Sequence, residues 1–164
     1  MIRRLCLFRH GLAIDRDDPN CPPDPERPLT SEGETKTLRA ALGLRALGVS
    51  PRAMLCSPLL RARQTAEIAA ACLDFPVAEI QITSTLEPDA APDAIASRLS
   101  ALSGEVVAVG HAPNLDRVIA ALLGLQAPIT ALKKAGAALV ELEPPTLAWV
   151  ATSRTLRELG KRFE

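Results

Sequence analysis

The chain has 164 residues, 48% hydrophobic and 23% charged, with 19 basic side chains balancing 19 acidic ones. That composition suits one soluble domain with a substantial core, spanning residues 1–164. The balanced charge and the scarcity of aromatics (three Phe, one Trp, no Tyr) exclude a general polyanion binder, so no nucleic-acid partner is expected.

In chain order, short apolar runs of strand length alternate with longer helical patterns. The first run, Arg4 to Phe8, is stopped by Arg9, too soon for the roughly 7 to 15 apolar residues of a secretion signal. Next comes LAIDRDDPNCPPDPERPL, from Leu12 to Leu29, a proline-rich stretch without periodicity of the kind that is either functional or disordered in a compact domain. A helix is expected from Thr30 or Ser31 to Leu47, since Ser31 and Glu34 have capping-box spacing and Leu38, Ala41 and Leu42 share a face; Gly48 ends it. A strand at Ala53 to Cys56 leads into a second helix with Ser57 as cap, Pro58 at its first position and a buried stripe of Ala62, Ala66, Ala69 and Leu73.

A strand at Ile80 to Thr83 follows, then a helix at Pro92 to Leu102, a strand at Glu105 to Gly110, and a helix from Pro113 or Asn114 to Leu123. Strands at Ala138 to Leu142 and Leu147 to Thr152 and a charged surface helix in TSRTLRELGKRFE complete the chain, with Lys133 and Lys134 as a solvated pair. Near-continuous apolar runs such as Val106 to Val109 suit strands buried on both faces of a parallel sheet. The alternation predicts an α/β fold. No stretch reaches the roughly 18 apolar residues of a membrane span, so a cytoplasmic location without a membrane partner is expected. Cys6, Cys21, Cys56 and Cys72 form no CxxC pair, and with two histidines in the chain no zinc spacing can be assembled; neither a metal nor another cofactor is expected.

The two histidines are the informative residues. Arg9, His10 and Gly11 follow the first strand and His111 follows the run ending at Gly110, so both rings lie just past strand C-terminal ends, where open α/β sheets bind ligands. Arg61, in the first turns of the helix after Cys56, belongs to the same edge. Two arginines and two histidines converging there make a pocket for a dianion, phosphate above all, in which a neutral imidazole can attack phosphorus. Each residue alone has a plainer role, as a structural histidine or a solvated helix arginine; it is the combination that favours chemistry.

The motifs FRHG (Phe8 to Gly11), SPLLRARQTA (Ser57 to Ala66) and VGHAPN (Val109 to Asn114) together resemble the signatures of the histidine phosphatase superfamily, which includes the cofactor-dependent phosphoglycerate mutases. RPLTSEG (Arg27 to Gly33) and the short length resemble its SixA-type phosphohistidine phosphatase branch, the likeness extending from residue 2 to about residue 123. The resemblance implies a three-layer α/β/α sandwich with a mostly parallel central sheet, phosphoglycerate mutase-like. It makes His10 the phosphorylated nucleophile, gripped through the phosphoryl oxygens by Arg9, Arg61 and His111, with Gly11 beside them. It also places Arg27 near the pocket, where the residues alone read equally well as a loop surface charge.

Two departures bear on the substrate. Larger members carry an asparagine shortly after the Arg-His-Gly triplet, where this chain reads LAID, and many use a glutamate as proton donor. Glu87 lies in the right region but outside the usual motif, and its surroundings favour an exposed loop or strand-end carboxylate over a general acid. An imidazole leaves phosphorus far more readily than an alkoxide does, so a site without a committed acid suits phosphohistidine. The short chain, with little to spare for a lid, points the same way. The expected activity is a metal-independent phosphatase acting on a phosphohistidine-bearing protein. The alternatives are a small-molecule phosphomonoesterase with Glu87 as acid, a mutase, and a phosphoprotein-binding module without turnover. For attack His10 must be neutral, and Arg9 and Arg61 are expected to hold its pKa below about 6.5.

Overall fold

The structure, a computed structural model, describes residues 1–164. Six strands form one sheet in the order β3-β2-β4-β1-β5-β6, with β1 at Ile2–Arg9, β2 at Ala53–Cys56, β3 at Gln81–Ile82, β4 at Gly104–Gly110, β5 at Ala137–Leu142 and β6 at Pro145–Ala151. The first four run parallel, while β5 pairs antiparallel with both β1 and β6. The expected mostly parallel sheet is therefore present, with β5 as the reversed strand.

Strand alternation divides the core between two faces. Cys6 and Phe8 of β1 face one way, packing with α1 (Ser31–Ala46), α2 (Leu60–Cys72) and α5 (Ser153–Gly160) through Ala40, Leu44, Ala66, Ala69 and Leu156. Leu5 and Leu7 face the other way, against α3 (Ala96–Ser100) and α4 (Asn114–Leu122) through Leu99, Leu115 and Ile119. These helix layers on either side of the sheet complete the α/β/α sandwich. Burying each such leucine is worth about 1.5–3 kcal/mol, so the central strand is the main anchor of the fold. Cys6, Cys56 and Cys72 are buried free thiols serving as small hydrophobes. No helix is long and apolar enough to cross a membrane.

Local signals held in part. Helix α1 is capped by Thr30, whose Oγ1 accepts the Gly33 N–H at 2.9 Å, rather than by Ser31 with Glu34. Its buried face runs through Thr37, Ala40, Ala41 and Leu44, leaving Leu38 45% exposed, because the neighbouring α5 crosses close to Gly43, where a Cβ would stand 2.0 Å from the Leu156 carbonyl oxygen. Gly48 adopts φ +78° just past the helix end, as expected of a terminator. Helix α2 starts at Leu60, two residues later than the expected first position at Pro58, though its predicted stripe Ala62, Ala66, Ala69 and Leu73 is buried. Only Ala96–Ser100 of the stretch Pro92 to Leu102 is α-helical, preceded by turns.

Candidate active site

Parallel pairing brings three strand ends side by side. Arg9 pairs with Gly110 across β1 and β4, and the His10 N–H donates to the Gly110 carbonyl at 3.0 Å. The Ser57 N–H, just past β2, donates to Val109 O at 3.0 Å. The sheet thus delivers His10, His111 and Ser57 to one edge, with the two imidazole centroids 5.0 Å apart. Both rings are buried.

His10 Nδ1 lies 2.7 Å from Gly11 O. A carbonyl only accepts, so Nδ1 carries the proton and Nε2 keeps the free lone pair. Gly11 is fixed in turn by its N–H donating to Thr65 Oγ1 of α2 at 3.0 Å, and that hydroxyl donates to Arg61 O at 2.8 Å. A side chain at this position is excluded, since a Cβ on Gly11 would stand 2.0 Å from Thr37 Oγ1. The glycine after His10 is therefore required by the close approach of α1. His111 Nε2 bonds the Ser57 hydroxyl at 2.8 Å, while its Nδ1 is buried without a partner. The same hydroxyl accepts the Leu59 N–H at 3.3 Å, and Leu59 is extended, so α2 begins only at Leu60.

A cavity of about 750 Å³ opens over these rings. Arg9, His10, Arg27, Arg61 and His111 all line it, so the structure brings together four of the expected pocket residues and Arg27 as well. Arg27 is buried and not a surface charge; its Nε and Nη2 donate to Ile14 O at 3.1 and 2.9 Å. The proline-rich stretch is an ordered wall, closed at its base by a bridge between Ala13 and Leu29 and lining the cavity with Leu12 through Asp18. Glu87 is not among the lining residues, although its neighbour Pro88 is. Lys134, expected in a solvated pair, lines the cavity too.

Residues without a sequence signal complete the frame. Asp24 receives Arg27 Nη1 at 2.9 Å and Arg61 Nη2 at 3.3 Å on its carboxylate, and Arg61 Nη1 at 2.8 Å on its carbonyl. Buried Asp116 accepts from Thr130 Oγ1 and Leu132 N–H at 2.6 and 3.0 Å, and Leu132 O accepts Arg9 Nη1 at 2.7 Å.

Burial is the main cause that pushes both histidines down to about 3. For His10 the bond to Gly11 O opposes this, and the charges of His111, Arg61 and Arg9 add to it; for His111 the charge of Arg61 adds and that of Asp24 opposes. The guanidinium charges invoked from sequence are thus secondary to desolvation, but the direction is as expected. Burial also lowers Arg9 and Arg61 from the ordinary arginine value, opposed by the charges of Asp116 and Asp24 respectively. Neutral rings among cationic forks form a site for an oxyanion and a nitrogen nucleophile.

A model of the histidine phosphatase superfamily (branch 1) matches residues 5–87, and the chain belongs to that superfamily. The phosphohistidine phosphatase SixA of Escherichia coli is 31% identical over 127 residues, covering 74% of this chain and 75% of that protein. An uncharacterized protein of Picosynechococcus is 42% identical over 137 residues, 80% of this chain and 81% of that one. The solved structure of the protein histidine phosphatase SixA complexed with tungstate matches with a TM-score of 0.82 at 26% identity, over 93% of this chain and 99% of that one. Within the superfamily the chain is of the SixA type, and it is a phosphatase.

Proposed function

We propose that the protein removes phosphoryl groups from phosphohistidine on a partner protein, through a phosphorylated His10 intermediate. The observation that carries this is the Nδ1–H bond of His10 to Gly11 O, 2.7 Å long, which leaves Nε2 unprotonated in a cavity also lined by Arg9, Arg61 and His111. Nε2 attacks phosphorus as the bond from phosphorus to the substrate imidazole breaks, and the departing nitrogen takes a proton from solvent. The Gly11 carbonyl stabilises the positive charge that develops on the His10 ring, while the guanidiniums and His111 hold the phosphoryl oxygens. Water then attacks the phosphorus of phospho-His10. The electron pair of the breaking bond returns to Nε2, a water proton passes to solvent, and inorganic phosphate leaves.

The choice of leaving group follows from the carboxylates. Glu87 does not line the cavity, and those that do, Asp15, Asp17 and Asp18, are exposed on its outer wall. An imidazole leaving group needs no committed acid, whereas an alkoxide does. The four free thiols, three of them buried, suit a reducing cytoplasm. Rapid quench with a phosphohistidine peptide labelled on phosphorus tests the proposal: acid-labile, alkali-stable label is expected on His10 and none on His10→Ala. Turnover by wild type without any label on His10 would overturn it.

A further inference from the structure

Three guanidiniums converge on one carboxylate at the back of the cavity wall. Asp24 Oδ1 accepts Arg27 Nη1 at 2.9 Å and pairs with Arg16 Nη2 at 3.2 Å, while Oδ2 takes Arg61 Nη2 at 3.3 Å. The Asp24 backbone carbonyl adds Arg61 Nη1 at 2.8 Å and, within its own turn, the Arg27 N–H at 3.3 Å. Asp24 is not among the residues lining the 750 Å³ cavity; with Arg16 and Arg27 it borders a separate hollow of about 390 Å³ on the outer side of the same loop. It stands behind the arginines.

We propose that Asp24 is a positioning residue for the phosphoryl pocket, its carboxylate tying Arg61 of α2 to the Asp24–Glu26 turn and so presetting the fork that receives the phosphoryl oxygens. The inference rests on the phosphatase reading above. The two arginines do not depend on Asp24 equally. Arg27 has independent anchors on Ile14 O, whereas the hydrogen bonds from Arg61 to protein groups both go to Asp24. A guanidinium has five N–H donors, so these two leave three for a ligand. Without the carboxylate, the like charges on Arg16, Arg27 and Arg61 lose the counter-charge that bridges them, and the Arg61 fork loses one of its two fixed points. The ionisation of Asp24 agrees: burial alone would raise its carboxyl, but the bond from Arg27 and the charges of Arg61 and Arg16 outweigh that and hold it below the ordinary carboxylate value.

The opposite role is physically coherent too. A carboxylate shared by three cations could act as a resident competitor that weakens anion binding, in which case removing it would tighten the pocket. Calorimetric titration with tungstate, a tetrahedral dianion that undergoes no turnover, separates the two. Asp24→Ala is expected to weaken tungstate binding about tenfold or more, the scale of a hydrogen bond to a charged group, with Asp24→Glu recovering most of the loss. In an Arg61→Ala background the same substitution should cost less than about twofold, since residues acting through one another are not additive. Should Asp24→Ala fail to fold, Asp24→Asn, nearly isosteric and uncharged, takes its place with the same expectation. Binding unchanged or tighter than wild type overturns the inference, as does an equal loss with and without Arg61, while both results leave the phosphatase reading intact. Failure of the wild-type protein to bind tungstate, together with an absence of label on His10, would bring down that reading and the inference with it.

Discussion

Two buried neutral histidines make the fold acid-sensitive in a window of their own. In the unfolded chain His10 and His111 take up protons near their ordinary value of about 6.5, whereas in the native site both are pushed down to about 3. Between those values the unfolded state binds more protons, so stability falls as pH falls, with a slope that approaches about 1.4 kcal/mol per pH unit for each ring; a pH unit or more above 6.5 both rings are almost wholly neutral in both states and contribute almost nothing. Lowering the pH from 6.5 to 5 should therefore cost about 3 kcal/mol for the pair, a large share of the 5–15 kcal/mol typical of a domain. Asp24 adds to the acid loss in a lower window, because its carboxyl is held below the ordinary carboxylate value. Urea unfolding from pH 7.5 to 5.0, on wild type and on the His10→Asn, His111→Asn double variant, isolates the histidine contribution. The wild type is expected to lose about 3 kcal/mol between pH 6.5 and 5 and the double variant less than about 1 kcal/mol. Parallel stability curves for the two proteins would refute the claim that the rings are buried uncharged.

Gly11→Ala should cost about 1–3 kcal/mol of stability and displace His10, because the added Cβ meets Thr37 Oγ1; Thr37→Ala, which removes a hydroxyl that has no hydrogen-bond partner, should recover much of both stability and turnover, read by urea midpoints and phosphopeptide hydrolysis. Ser57→Ala takes away the partner of His111 Nε2 and should cost about 1–3 kcal/mol in stability or in transition-state binding, measured as the urea midpoint and as kcat/KM. His111→Ala, losing a whole donor to the phosphoryl group, should lower kcat by about 10² to 10³ in single-turnover assays. Glu87→Gln should change phosphohistidine hydrolysis less than about twofold, since the side chain does not line the cavity; a severe loss confined to alkyl phosphate esters would instead make it the proton donor.

The parts of this molecule that could be read from its sequence are those fixed by neighbours a few residues away. The run Val106 to Val109 reads as a strand buried on both faces, because three valines and an alanine in four consecutive positions next to a helical pattern leave few alternatives, and each of its residues is fully buried. His10 and His111 could be brought together because each follows a strand at once, and parallel strands end at the same edge. Asp24 could not be linked to Arg61 in this way. The contact spans 37 residues and crosses a stretch whose prolines and aspartates have no periodicity to reveal which side faces the pocket. Thr65 likewise looked like any polar residue on an alanine-rich helix, since its role depends on how closely Gly11 approaches α2.

Where local rules failed, the reason is often a residue already engaged elsewhere. Ser57 and Pro58 are the standard opening of a helix, yet the helix waits until Leu60: Leu59 is extended (φ −67°, ψ 137°), and the serine hydroxyl lies 2.8 Å from His111 Nε2 while accepting the Leu59 N–H at 3.3 Å. Leu38 has the spacing of a core residue, but Gly43, where α5 crosses, lies five residues on and about 140° round the helix, and packing turns that side, with its smaller side chains, inward and leaves Leu38 outside. The two cases differ in what they imply. Leu38 reflects the demand of packing alone, whereas Ser57 fixes the orientation of a histidine whose other nitrogen, Nδ1, lies buried without a partner. The Ser57 hydroxyl fixes the orientation of the His111 ring through its Nε2, so Ser57→Ala measures what that orientation is worth to turnover.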